Sequence, residues 1–271
     1  MHVRIRLFAV QRELAGTREL AVDLQPGATV ADAWDALVVR HPVLAPGRSS
    51  VRFARNSVYA GADDPLEDGD EIAMIPPVSG GAGAADPAGT EAGGRAAAGG
   101  RILELRAEPF DDEIIRALTS RLVTPDDGAV VSFLGVTRAT PGTPAPGQEA
   151  EAARHVGRAV ESLDYEALEP LALRVLSEIA DEIRERFGVE RLAIVHRTGS
   201  VPLGDASIAI VTCAAHRGDA FAAAAYAIEE TKSRAPIWKA ERFADGHVWI
   251  GAPAREGPPA REGPPAGEGP R

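Results

Sequence analysis

Lysine occurs only twice in this chain, at Lys232 and Lys239, and arginine supplies the rest of its 29 basic residues. The difference matters for chemistry. A guanidinium keeps its proton at any working pH, whereas an ammonium can lose one and act as a base or nucleophile. Two such amines seven residues apart, in a chain that uses arginine wherever charge alone suffices, suggest proton transfer or covalent attack. Composition alone leaves chance placement open.

The segments around these lysines read as regular elements. A helix is expected over 219–233, stopped before Pro236 because the residue preceding proline disfavours helical dihedrals. Strands over 238–243 and 247–250 then close a hairpin, with Trp238 expected in the core. Upstream, 102–107 reads as a strand and 111–121 as a helix. The run 129–136 is an apolar strand, and 139–153 is a Pro-, Gly- and Ala-rich stretch expected to be mobile. A strand over 159–165, a long amphipathic helix over 169–187 ended by Gly188, and buried strands over 192–196 and 207–214 complete an α/β pattern spanning 101–252. Cys213, mid-strand among apolar residues, is expected to be an inert buried thiol.

A smaller unit precedes it. Strands are expected at 3–8 and 20–24, joined as a hairpin around Gly16. Thr29 is placed to cap a helix over 30–40. Short strands at 51–54, 57–59 and 71–75 follow. Two strands, a helix, then short strands crossing it is the order of a β-grasp, or ubiquitin-like, fold. Residues 82–100 are almost all Gly, Ala and small polar residues, the composition of a flexible linker. Residues 253–271 carry AREGPP twice in tandem, too rich in proline and glycine to build a core, so a disordered tail is expected.

The overall balance narrows the partners. A formal net charge of −11 argues against nucleic acid or an anionic membrane as a partner, though local cations could still hold a small anion. No apolar run approaches the ~18 residues of a membrane span, and the N-terminus lacks a signal-peptide core. One cysteine permits no internal disulfide and no Cys-based zinc site. The histidines show no HxxxH pair, so no metal is expected. No GK[ST] phosphate loop accompanies the glycines at 80–100, which argues against ATP binding by this chain. No cofactor is called for, and the default location is cytoplasmic.

Two sets of motifs go further. The first unit ends LEDGDEIAMIPPVSGG, in which two prolines stop the strand pairing and Gly80–Gly81 form a tail slim enough to thread a channel. This resembles the C-terminal signature of the molybdopterin synthase small subunit, a ubiquitin-like sulfur carrier. In the second unit SFLGVTR, LDYEALEPLALRVLSEIADE, RLAIVHRTGSVPLGD, AAHRGDAF and TKSRAPIWKAE resemble the large, catalytic subunit over nearly all of 101–252. The resemblance implies an α+β chain. Residues 1–81 would be a β-grasp sulfur carrier and 101–252 a hammerhead catalytic domain that forms a homodimer. Its substrate would be cyclic pyranopterin monophosphate, converted to molybdopterin by sulfurs from two thiocarboxylated glycine tails. A separate ubiquitin-activating-like adenylyltransferase and a sulfur donor system would charge the tail.

Carried over by position, Lys232 and Lys239 match the family's two pocket lysines, with Lys232 expected to be central. Arg138 matches a pocket arginine, and His216 and Arg217 match a His-Arg pair at a helix start. The substrate's phosphate suits forked guanidinium donors and helix N-terminal N–H groups. Plainer roles remain open: a cap for His216, an ion pair with Asp219 or Glu229 for Arg217, a solvated strand end for Arg138, a structural hydrogen bond for His196 and Arg197. The fusion itself departs from the family. Adenylation needs a free carboxylate, yet Gly81 is amide-bonded to Ala82. Cleavage after Gly81 is the favoured expectation. The alternatives are an intact catalytic chain served by a separate carrier, or an N-terminal domain that serves only for docking.

Overall fold

The computed structural model describes residues 1–78, 100–145 and 148–251. Gly80 and Gly81, the linker up to residue 99 and the repeat tail lie outside these residues. Among the described residues, no helix is long and apolar enough to cross a membrane.

The N-terminal unit runs β1 (His2–Leu7), α1 (Ala9–Ala15), β2 (Glu19–Asp23), α2 (Val30–Arg40), β3 (Arg52–Arg55), β4 (Val58–Ala60) and β5 (Glu71–Ile75). Its sheet has the order β2-β1-β5-β3-β4, with β1 and β5 parallel, which is the β-grasp arrangement expected. Thr29 caps α2 as its sequence suggests. The Asp32 N–H donates to the Thr29 hydroxyl, and the Thr29 N–H donates back to the Asp32 carboxylate at 2.7 Å. Val3, Ile5, Leu7, Ile72 and Met74 alternate into a core closed by Trp34 and Leu37 of α2. One expectation is corrected: β1 and β2 pair, but α1 stands between them where a simple turn was expected.

The C-terminal unit runs β6 (Arg101–Arg106), α3 (Glu113–Leu122), β7 (Ala129–Val136), α4 (Glu149–Arg154), β8 (Ser162–Ala167) and α5 (Glu169–Phe187). It continues with β9 (Arg191–Arg197), β10 (Gly199–Pro202), β11 (Ala206–Ala214), α6 (Arg217–Arg234), β12 (Ile237–Phe243) and β13 (Gly246–Ile250). These form two four-stranded sheets, β6-β9-β11-β7 and β10-β8-β12-β13. The first is covered on both faces. Ile194, Ile208 and Ile210 share a core with α5 and α6, while Ala193, Val195, Val211 and Cys213 share one with α3. That explains why β9 and β11 read as continuous apolar runs. The segment 139–153 is more structured than expected: α4 occupies its end, and Pro144 bridges to Ile250.

The two units meet over a shared core. On β3 and β5, Ala54, Ala73 and Ile75 face away from the β-grasp core and join the core of the second unit. Phe8 stacks on Trp238 with ring centroids 5.0 Å apart. The Trp238 indole N–H donates to the Pro76 carbonyl at 3.0 Å, gripping the arm just after β5. Glu166 on β8 accepts from the Ala9 N–H at 3.1 Å and pairs with Arg12 at 3.0 Å. A carboxylate of one unit thus caps α1 of the other, which has no side-chain cap of its own.

Candidate active site

Strand β12 carries the site through simple alternation. Trp238 and Ala240 face the N-terminal unit, and Ile237, Lys239 and Glu241 face the opposite way. On that side lies a cavity of about 250 Å³, lined among others by Arg138, Tyr165, His196, Lys232, Lys239 and Glu241. Lys232 arrives from the last turn of α6. That helix ends at Ala235, which is extended ahead of Pro236, and the turn sends the chain into β12. Arg138 follows the end of β7. Arg138, Lys232 and Lys239, three cations from different parts of the fold, therefore share one cavity.

The two lysines differ in their surroundings. Lys232 is exposed at the helix end, whereas Lys239 is largely enclosed. Burial lowers the Lys239 pKa below the ordinary lysine value. Glu241 pulls the other way, while Lys232 and Arg138 add to the depression. Lys239 is therefore readied to lose its proton below the ordinary lysine range. Arg234, two residues after Lys232, is held by ion pairs to Glu178, Glu182 and Glu230.

Glu241 is the residue that sequence reading missed. It is buried, and both carboxylate oxygens accept from the Gly142 N–H at 2.9 and 3.0 Å. Burial raises its pKa, while Gly142, Lys239 and Arg138 counter the rise. The period-2 pattern Lys239-x-Glu241 was the available signal, but the Gly142 contact, 99 residues away, was not. His196 and Tyr165 also line the cavity, their rings edge to face at 4.9 Å. Burial pushes the Tyr165 phenol up. His196 is pushed down to about 4, chiefly by burial, with its bond to the Arg197 carbonyl opposing and Lys232 reinforcing. Arg197, by contrast, is structural. It is buried, and its two terminal nitrogens donate to Asp205 and to the Ser200 and Ala206 carbonyls.

His216 and Arg217 do not join this cavity. Both are exposed at the start of α6, and His216 makes no capping bond with its side chain. Lys232 lies fifteen residues further along the same helix, roughly 22 Å at 1.5 Å per residue. Gly80 and Gly81 lie outside the described residues; the arm leading to them is described as far as Val78, packed on the shared core.

Fold and site together define a β-grasp domain docked on an α+β domain with a cation-rich pocket. Comparison with known proteins agrees. The MoaE protein family matches residues 105–234 and the ThiS family residues 5–81. A molybdopterin synthase catalytic subunit of Staphylococcus carnosus is 37% identical over 148 residues, covering 55% of this chain and 87% of that protein. The rice (Oryza sativa subsp. indica) protein of the same name is 40% identical over 122 residues, covering 45% of this chain. The chain spans 56% of that relative's length. The solved molybdopterin synthase of Staphylococcus aureus is 35% identical, with 55% of this chain and 96% of that one covered and a TM-score of 0.46. The chain belongs to the molybdopterin synthase catalytic-subunit family, with a ThiS-family domain fused ahead of it.

Proposed function

We propose that this chain is the precursor of a complete molybdopterin synthase, both sulfur carrier and catalyst. The observation that carries the reading is the convergence of Arg138, Lys232 and Lys239 on one cavity, beneath a sheet whose other face holds the carrier domain. The anionic oxygens of cyclic pyranopterin monophosphate would rest on Arg138 and Lys232. Lys239, with its lowered pKa, would take and return the protons as sulfur replaces oxygen. Glu241 would hold Lys239 in place and keep the cluster of cations from repelling itself apart.

The sulfur would come from Gly81. Charging requires a free carboxylate, so the chain would be cut after Gly81. A ubiquitin-activating-like enzyme would then adenylate the new terminus, and a sulfur donor system would convert it to a thiocarboxylate. The grip of Trp238 on Pro76 favours this reading over a carrier supplied separately, because the fused domain already covers the docking face. His216 and Arg217 are too far from their own cavity to serve it, so they would complete the pocket of a second copy in a homodimer.

The test uses two polypeptides, residues 1–81 and 101–271, supplied with the activating enzyme, a sulfur source and precursor. They should make molybdopterin, while a full-length chain blocked against processing at Gly81–Ala82 should not. An inactive pair beside an active, uncut chain would end the cleavage model.

A further inference from the structure

His196 offers the cavity a neutral hydrogen-bond acceptor held in a fixed orientation. Its Nδ1 lies 2.7 Å from the Arg197 carbonyl oxygen. A carbonyl only accepts, so Nδ1 must carry the proton, and the neutral ring then leaves Nε2 as a bare acceptor. The ring is fixed from two sides, by that hydrogen bond and by the edge-to-face contact with Tyr165. The Arg138 guanidinium, and the two lysines while protonated, only donate. The Glu241 oxygens accept from the Gly142 N–H, and the Ser207 hydroxyl donates to the Gly135 carbonyl. The Thr140, Thr231 and Ser207 hydroxyls can donate as well as accept. Nε2 of His196 can only accept.

We propose that Nε2 of His196 accepts a hydrogen bond from a neutral N–H or O–H of the substrate, orienting it while the cations hold its anionic oxygens. The site thus recognises a ligand with two unlike ends, anionic at one and a neutral donor at the other. This rests on the assignment of the cavity as the pterin-phosphate site. His196 suits the task because burial beside Lys232 keeps it unprotonated at neutral pH, so the acceptor is always present. A protonated imidazole there would repel both the donor and the neighbouring cations.

The experiment compares full-length wild type, His196→Asn and His196→Gln for binding of cyclic pyranopterin monophosphate and of inorganic phosphate. Asparagine can still donate to the Arg197 carbonyl but cannot reach the Nε2 position; the glutamine oxygen can. His196→Asn should weaken pterin binding roughly three- to tenfold, the worth of one net hydrogen bond. It should leave phosphate binding unchanged, and His196→Gln should recover most of the loss. Equal pterin affinity in wild type and His196→Asn overturns the proposal, and so does parallel loss of both ligands. Should His196→Asn fail to fold, nitrogen-15 resonances of the wild-type ring decide. Pterin monophosphate should move Nε2 and phosphate should not; a Nε2 signal unmoved by bound pterin overturns the proposal. Wild type that binds phosphate but no pterin would instead overturn the assignment of the cavity itself, and this proposal with it.

Discussion

At the scale of single residues, position in the fold decides what each amine can do. Lys232 and Lys239 are alike in sequence, but one ends a helix in the open and the other sits on a strand inside the cavity. Lys239 carries the lowered pKa, so its neutral fraction grows as pH rises through a range below that of ordinary lysine. If this amine accepts a proton in the slow step, turnover should climb over that range. Lys239→Arg keeps the charge but cannot release it, so turnover should fall and the rising limb should vanish. Lys232→Arg should keep the limb whatever it does to the rate. A limb that survives in Lys239→Arg, measured by initial rates across pH, would assign the proton to another group.

At the scale of elements, α1 and β12 show how docking and catalysis share one scaffold. Strand β12 offers Trp238 to the carrier domain and Lys239 to the cavity, so one strand fixes both. The start of α1 is held by Phe8 on Trp238 and by Glu166 on the Ala9 N–H. Phe8 is 2% exposed, and aromatic stacking adds about 0.5–1.5 kcal/mol beyond burial. Phe8→Ala in residues 1–81 should therefore weaken binding to residues 101–271 more than tenfold by calorimetry. The β-grasp core of Ile5, Trp34, Leu37 and Ile72 does not include Phe8, so far-UV circular dichroism of the carrier should hold. Undiminished affinity would place the docking energy elsewhere than α1.

At the scale of the whole molecule, the length of α6 separates His216 and Arg217 from the lysines of their own chain, so a pocket using all of them needs two copies. That makes a complementation prediction. His216→Ala/Arg217→Ala and Lys232→Ala/Lys239→Ala should each be nearly inactive alone. Co-expressed mixtures should form hybrid dimers in which one pocket has every group intact, and activity should return to a substantial fraction of wild type. Mixed dimers, separated by affinity tags, that stay as inactive as either parent would show that the His-Arg pair does not serve the neighbour's cavity.

The sequence by itself determined the local order. Alternation of apolar residues set β1, Thr29 set the start of α2, and Gly188 set the end of α5. These are signals between residues a few positions apart. Its motifs also picked out Arg138, Lys232 and Lys239, and the folded chain brings all three to one cavity. What only the tertiary structure decided depends on contacts across long separations. Helix α1 has no cap of its own and takes one from Glu166, 157 residues away. Glu241 is cradled by the Gly142 N–H, and His196 shows its free nitrogen only once Arg197 turns its carbonyl back onto the ring. That Lys239 is enclosed, and its pKa lowered by burial, follows from what packs around its side chain. No spacing along the chain encodes that.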